Sequence, residues 1–267
     1  MSTQTYTAHK YANGAFTPVA DTLATEEMLS ISINHKPFTI TMRTTGNETE
    51  LIRGLLFAEQ IYTDTQMNPH IAVLARSEQG HITEVNVTAP ENLLLKNYAD
   101  KRSIISVSSC GICGKTELDT GLSGKIIVAQ KPLNPDSVAA MFNQMSQHQQ
   151  AFKLSGGVHA AAIFDAEAQL LIVKEDIGRH NAVDKAIGSL LLTQNLHQAQ
   201  CLLVSGRISY EIVSKTYHAG IPFLAAVSAP SSMAVDFCRQ TGITLLAFCR
   251  NNYFTVYANS QNLGSEK

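Results

Sequence analysis

The sequence predicts an α/β protein, α+β overall, with a smaller β-rich N-terminal part and a three-layer C-terminal part. Three observations indicate this. The hydrophobic period of the second half alternates between two and 3.6 residues, which is typical of βα units on a mixed sheet with helices on its faces. Apolar runs in the first half are short and bounded by turn residues, as in hairpins. The 267 residues, 45% of them hydrophobic, suffice to bury a sizeable core.

Composition and pattern divide the chain into three segments. Residues 1–27 are polar and lack a sustained period, so we expect an extended lead-in. Residues 28–125 form the predicted β-rich subdomain, which ends in a loop that contains two cysteines. Residues 126–267 form the predicted α/β subdomain.

In the N-terminal part we expect two strands within residues 28–44. A capping residue with an acid three positions later, followed by leucines at helical spacing, predicts a helix over about 47–61. Alternation predicts a hairpin within 71–88, in which Asn86 faces away from the core. A strand over 102–108 should lead into the cysteine loop.

In the C-terminal part, the capping sequence Asn134-Pro135-Asp136 predicts a helix over about 135–151. Gly220 and Gly242 fall where helix C-termini favour a left-handed residue. The predicted strands are 158–164, 169–175, 199–205, 222–228, 243–249 and 253–258, and the predicted helices are 181–194, 208–219 and 231–241.

Composition excludes several classes of protein. A net charge of −2 and a pI near 6.5 argue against a general nucleic-acid binder, since a phosphate backbone attracts an excess of Lys and Arg. We find no apolar run of the roughly 18 to 20 residues that a membrane span requires. Residues 1–6 do not begin a secretory signal, and five irregularly spaced cysteines do not form a disulfide framework. We therefore expect a cytoplasmic protein.

The loop Ser108–Lys115 carries two thiols, Cys110 and Cys113, each followed by a glycine. Glycine tolerates positive φ and has no Cβ, so the loop can turn sharply and admit a bulky ligand. The reactive species of cysteine is the thiolate, whose formation Lys115 would favour. Two small buried packing residues are the alternative interpretation.

Two cysteines at this spacing can serve three kinds of chemistry. A thioredoxin-like redox pair has the order strand, CxxC, helix, but the long preceding and following segments fit it poorly. A zinc site would need further ligands such as His159 or His180, and a second CxxC or an HxxxH pair is missing. A sulfur carrier would form a persulfide on one cysteine and pass the terminal sulfur to an acceptor held nearby.

Three loops at predicted strand ends favour an anionic, nucleotide-like ligand. Each opens a helix, whose N-terminus offers unpaired N–H groups to an anion, and each carries hydroxyl, guanidinium or imidazole donors. The loops are Lys174–His180, Ser205–Arg207 and Ser228–Ser232.

Other polar and sulfur residues have simpler interpretations. We interpret His159 as a hydrogen-bonded core histidine more readily than as a ligand. Asp176 and Arg179 can form a local ion pair that fixes their loop. Three further cysteines in apolar surroundings are interpreted as packing residues: Cys201, Cys238 and Cys249.

The sequence is also similar to the FdhD family of formate dehydrogenase accessory proteins from about residue 28 to 257. The block Glu175–Lys185 is the most specific match. The matching segments are Met42–Thr44, Gly54–Glu59, Ser108–Lys115, Gly156–Ala161, Glu175–Lys185, Ser205–Glu211 and Ser228–Ser232.

This resemblance implies a cytidine-deaminase-like C-terminal fold without the deaminase zinc. It implies a sulfurtransferase that takes sulfur from a cysteine desulfurase onto Cys110 and delivers it to the molybdenum bis(molybdopterin guanine dinucleotide) cofactor of formate dehydrogenase. That cofactor would be a bound acceptor and not a permanent prosthetic group. Cys113 would assist or protect the persulfide. We also expect a homodimer.

The resemblance and the strand-end loops together give a set of expected cofactor-binding residues. They are Phe248, Cys249, Arg250, Asn251, Asn252 and Tyr253 near the C-terminus, with Arg179, His180, Arg207 and Ser228 in the loops. Two other functions stay open: a zinc-dependent deaminase-like hydrolase, and a non-catalytic chaperone that only binds the cofactor.

Overall fold

The computed structural model describes residues 2–96, 105–106 and 126–264. Within these ranges the strands are β1 Thr3–Ala12, β2 Ala15–Ala24, β3 Glu26–Ile33, β4 Lys36–Thr44, β5 His70–Arg76, β6 Ile82–Thr88, β7 Ile105–Ser106, β8 His159–Phe164, β9 Leu170–Asp176, β10 Cys201–Val204, β11 Phe223–Ala226, β12 Thr244–Arg250 and β13 Tyr253–Ala258. The α-helices are α1 Glu48–Ala58, α2 Ser137–Gln147, α3 Gln150–Ser155, α4 Arg179–Leu192, α5 Tyr210–His218 and α6 Ser232–Thr241. In this part of the chain each helix is too short or too polar to span a membrane.

The first strands form a separate two-stranded hairpin. β1 and β2 pair antiparallel, with Ala12 opposite Ala15. The turn between them is Asn13-Gly14, and both residues have positive φ, at 52° and 81°. This is the signature of a hairpin turn whose twist matches its strands. The expected lead-in is thus a regular hairpin, and the Asn-Gly pair was the signal that could have predicted it.

The N-terminal sheet has the order β5-β6-β3-β4-β7. The predicted strands of residues 28–44, the helix α1 and the hairpin β5–β6 are confirmed. β3 pairs parallel with β6, and β4 pairs parallel with β7. Asn86 faces away from the core that contains Val85 and Val87, as predicted, but it is only 2% exposed, and its Oδ1 accepts a hydrogen bond of 2.8 Å from the His35 backbone N–H.

The C-terminal sheet is mixed, with the order β13-β12-β11-β10-β8-β9. Alternate residues of each inner strand pack against helices on opposite faces, as Leu202 and Leu203 of β10 do. α4, α5 and α6 cover one face, and α2 covers the other. The predicted fold class, with its three-layer C-terminal part, is confirmed. The predicted helix 135–151 is divided into α2 and α3, and Gly220 and Gly242 have the expected positive φ.

α1 joins the two parts of the molecule. One face packs into the core of the N-terminal sheet through Leu51, Leu55 and Leu56. The opposite face lies against α4, where glycines bring the two backbones together. A Cβ added to Gly54 would lie 1.9 Å from the Asp184 carbonyl oxygen. The two sheets are therefore held at close range by helix–helix packing.

Candidate functional site

A cavity of about 820 Å³ lies at one edge of the C-terminal sheet. β9, β10, β11 and β12 run parallel to one another and end at this edge, where β8 and β13 begin. The sheet contributes residues 156–159, Ser205, Val227 and residues 249–254 to the cavity wall. α2 and its neighbourhood contribute the facing wall, which includes Asp136, Phe142, Asn143 and Gln149. Ligands collect at such strand ends in α/β sheets.

Five of the ten expected cofactor-binding residues line this cavity: Cys249, Arg250, Asn251, Asn252 and Tyr253. Asn251 and Asn252 form the turn between β12 and β13 with φ of 52° and 63°. Asn tolerates this left-handed conformation better than most residues. The Arg250 guanidinium donates a hydrogen bond of 3.2 Å to the Val227 carbonyl, while the residue stays exposed. The turn thus presents a cation and two amides to the cavity.

The other five expected residues are not among those that line the cavity: Phe248, Arg179, His180, Arg207 and Ser228. Phe248 lies 6.4 Å from Tyr257, measured between ring centroids. His180 is buried at the start of α4, where its Nε2 is 3.3 Å from the Ser209 Oγ. Arg207 is exposed. Their roles as ligands stay predictions.

Arg179 lies near His159, which lines the cavity. A Cβ added to Gly206 would lie 3.3 Å from both the Arg179 Cβ and the His159 Nδ1, so glycine lets these side chains pack there. Within the described part of the chain, the buried Arg179 Nε has no hydrogen-bond partner. Buried polar groups are normally paired.

His159 lines the cavity at the first position of β8, where sequence reasoning had favoured a core residue. Burial lowers its pKa below the ordinary value of 6.5, and the charges of Arg179 and Arg207 lower it further, against the opposing effect of Asp176. The imidazole is thus neutral near pH 7. The preceding Gly156-Gly157 pair was the sequence signal for a residue at the rim of a cavity.

Cys110 and Cys113 lie outside the described residues. The nearest described residue before them is Ser106, at the end of β7. β7 is parallel to β4, with Ser106 opposite Thr41, so it points toward the end of β4 at Thr44. The four-residue chain from Ser106 to Cys110 spans at most about 14 Å.

The end of β4 lies next to the cavity wall. The Thr44 backbone N–H donates a hydrogen bond of 3.1 Å to the Asp176 Oδ2. Asp176 is the ladder partner of His159, which lines the cavity. Adjacent strands are about 4.8 Å apart, so the end of β4, the strand that pairs with β7, is anchored close to the cavity. The expected Asp176–Arg179 pair is replaced by an ion pair of 2.7 Å between Asp176 and Lys185.

The remaining cysteines are confirmed as packing residues. Cys201, Cys238 and Cys249 are at most 3% exposed. Burial raises the pKa of Cys238 and of Cys249 to about 12 and also raises the pKa of Cys201. Their thiols therefore stay protonated and unreactive near neutral pH. In the described ranges, His, Cys, Asp and Glu side chains form no group of three that could hold a metal ion.

Comparisons with known proteins place these features in a family. A sequence profile of the FdhD/NarQ family matches residues 24–264. A protein of Streptomyces avermitilis, named sulfur carrier protein FdhD, is 39% identical over 260 residues, which are 94% of this chain and 92% of that one. A protein of the same name from Sulfolobus acidocaldarius is 36% identical over 244 residues, or 91% of each chain.

A solved structure has the same fold. It is a crystal structure from Desulfotalea psychrophila, described as a formate dehydrogenase accessory protein. The TM-score is 0.75 at 20% identity, over 98% of this chain and 100% of that one. With the profile match across nearly the whole length and relatives near 40% identity, the chain belongs to the FdhD/NarQ family.

Proposed function

We propose that this protein carries sulfur as a persulfide on Cys110 and transfers it to a molybdenum bis(molybdopterin guanine dinucleotide) cofactor, so that formate dehydrogenase becomes active. Its relatives are named sulfur carrier proteins. The carrying observation is the position of the cavity beside the end of β4, the strand that pairs with β7 just before the cysteine loop.

In the loading step, the Cys110 thiolate attacks the terminal sulfur of a persulfide on a cysteine desulfurase. A new S–S bond forms on Cys110, the S–S bond of the donor breaks, and the donor cysteine leaves as a thiolate. The transferred sulfur keeps its oxidation level, so this step needs no reductant. The reaction requires a thiolate, which Lys115 next to the glycine-flanked pair would favour.

In the delivery step, the terminal sulfur must gain two electrons to become sulfide. Attack of the Cys113 thiolate on the inner sulfur of the Cys110 persulfide supplies them: a Cys110–Cys113 disulfide forms and hydrosulfide leaves. A dithiol reductant then restores both thiols. This gives Cys113 the assisting role that its spacing suggests.

The cavity suits one guanine-nucleotide arm of the cofactor. Its volume of about 820 Å³ lies in the range of small-molecule sites and is too small for the whole bis-dinucleotide. Arg250 and the amides of Asn251 and Asn252 offer donors to phosphate and base, and the neutral His159 adds a further polar group. Asp136 is the one carboxylate among the described lining residues and can accept from guanine N–H groups.

Mass spectrometry tests the loading step. After incubation with a cysteine desulfurase and cysteine, we expect one added sulfur on the Cys110 peptide, and no added sulfur in a Cys110→Ala variant. Cys238→Ala is the matched control, because it removes a buried thiol and leaves the loop unchanged. Formate dehydrogenase activity should be lost with Cys110→Ala and kept with Cys238→Ala. Full activity in Cys110→Ala would refute the carrier mechanism and favour a chaperone that binds the cofactor.

Metal analysis distinguishes the sulfur carrier from the alternative of a zinc-dependent hydrolase. A zinc enzyme would hold about one zinc per chain after purification. The cytoplasmic location is a part of the proposal that rests on the composition and on the irregular spacing of the cysteines. The homodimer and the identities of the sulfur donor and client enzyme are parts that rest on the family resemblance.

A further inference from the structure

The most specific sequence block, Glu175–Lys185, contacts other elements on two sides. On one side, the Glu175 carboxylate accepts hydrogen bonds of 2.8 Å from the backbone N–H groups of Ala151 and Phe152. These residues lie at the start of α3, and Phe152 lines the cavity. Glu175 thus holds one wall of the cavity in place.

On the other side, the block binds the end of β4. Asn181 Nδ2 donates hydrogen bonds to the Met42 carbonyl at 2.8 Å and to Asp176 Oδ1 at 3.0 Å. Lys185 Nζ donates to the Thr44 carbonyl at 2.9 Å and pairs with Asp176 at 2.7 Å. Together with the Thr44 N–H bond to Asp176, these contacts engage backbone groups at two positions of one strand end.

The contacts of Thr44 with Asp176 and Lys185 are buried, whereas the Asn181–Met42 hydrogen bond is exposed. Asp176 is 0% exposed and Lys185 is 1% exposed. The Thr44 hydroxyl, on a residue that is 2% exposed, accepts a hydrogen bond of 2.9 Å from the Ile177 N–H. Buried ion pairs contribute little net stability, because desolvation offsets their attraction. They still favour one geometry, because any arrangement that leaves one of the two charges buried and unpaired is strongly destabilised. The cluster Asp176–Asn181–Lys185 therefore fixes position more than it stabilises.

The cluster lies between the cavity wall and the strand pair β4–β7 that precedes the cysteine loop. Behind the cluster, Asp176 is the ladder partner of His159 in the cavity wall. In front of it, β4 pairs with β7, which precedes Cys110 by four residues. A shift of β4 relative to β9 would therefore shift the start of the cysteine loop relative to the cavity.

We propose that Asp176, Asn181 and Lys185 are positioning residues that hold β4, and with it β7, at a fixed place beside the cavity, so that sulfur on Cys110 reaches an acceptor bound there. This inference rests on the proposed function. It predicts that loosening the cluster impairs delivery of sulfur and leaves loading and nucleotide binding intact.

Three separate readouts on Asn181→Ala test this. Loading is measured as added sulfur on Cys110 with a cysteine desulfurase, and nucleotide affinity is measured with guanosine diphosphate. Delivery is measured as the rate of activation of inactive formate dehydrogenase. Misplacement of a reacting group by about 1 Å can cost about 10²-fold in rate, so we expect delivery to fall by that order. Loading and guanosine diphosphate affinity should change less than about twofold.

Matched variants at Thr44 distinguish positioning from general stability. Thr44→Val removes the hydroxyl that accepts from Ile177, whereas Thr44→Ser keeps it. We expect slow delivery with valine and rescue with serine. Ile243→Val removes a buried methyl group at the opposite end of the sheet and should lower stability without slowing delivery. Equal losses in all three readouts, or slow delivery in Ile243→Val, would overturn the inference.

Hydrogen exchange gives an answer that does not depend on sulfur chemistry. In Asn181→Ala, the backbone amides of residues 36–44 should exchange faster than in the wild type, while those of residues 201–204 should not. Unchanged exchange over 36–44 would overturn the positioning role. If the wild type takes up no sulfur on Cys110, the proposed function fails, and this exchange measurement still decides whether the cluster holds β4.

Discussion

Replacing either glycine at the α1–α4 contact should destabilise the protein. In Gly188→Ala the new Cβ would lie 1.9 Å from the Glu50 carbonyl oxygen, and in Gly54→Ala it would lie 1.9 Å from that of Asp184. An ordinary Cβ contact is 3.4 Å or more. The helices must therefore separate by about 1.5 Å. Overpacking of this kind costs about 1–3 kcal/mol, whereas alanine favours a helix over glycine by about 1 kcal/mol. We expect a net loss of up to about 2 kcal/mol from each substitution.

Thermal unfolding measures this loss. An unfolding entropy of about 2.1 cal/mol/K per residue converts 2 kcal/mol into a decrease of Tm by about 4 °C. The control is Gly157→Ala, since an added Cβ there meets nothing nearer than 3.8 Å. The double variant Gly54→Ala/Gly188→Ala should lose less than the sum, because helices that are already separated accommodate both methyl groups. A higher Tm in either single variant would refute the close helix contact.

Two further predictions concern titrating groups. A neutral alkylating reagent at pH 7 should leave Cys201, Cys238 and Cys249 unmodified in the native protein, because burial raises their pKa values, and peptide mass spectrometry would detect any label there. The pKa of His159 is lowered in the folded state, so below pH 6.5 the unfolded state binds more protons than the folded state. The free energy of unfolding therefore decreases as the pH falls below 6.5. His159→Gln should therefore lose less stability than the wild type between pH 7 and pH 5 in urea titrations, and equal losses would contradict the assigned cause.

Local patterns in the sequence predicted most of the fold. The strand β8 was found because it is a short, continuously apolar run, and the helix α6 was found because its buried residues recur at helical spacing. Gly242 marked a helix end through its need for positive φ. The burial of Asn86 was not predicted, because its side chain is bound to a distant turn, which alternation does not encode.

The candidate site was predicted in part. The turn Asn251-Asn252 was identified by family resemblance, and it lines the cavity. The role of Asp176 was not predicted, because its partners Thr44 and Lys185 lie on different elements, and Thr44 is 132 residues away in the chain. From the sequence alone, Asp176 was expected to form an ion pair with its close neighbour Arg179 instead. Interactions between distant segments are the part that a single sequence conceals.

The attachment of β4 to the second half of the chain also affects how the molecule folds. The partners of Thr44 lie within residues 176–185. During synthesis these contacts of β4 cannot form until more than a hundred further residues have been added. Pairings of such long range slow folding, since the intervening chain must first be ordered. The newly synthesised chain therefore exposes unpaired strand edges until the second sheet forms, and we expect chaperone binding to assist its folding during that time.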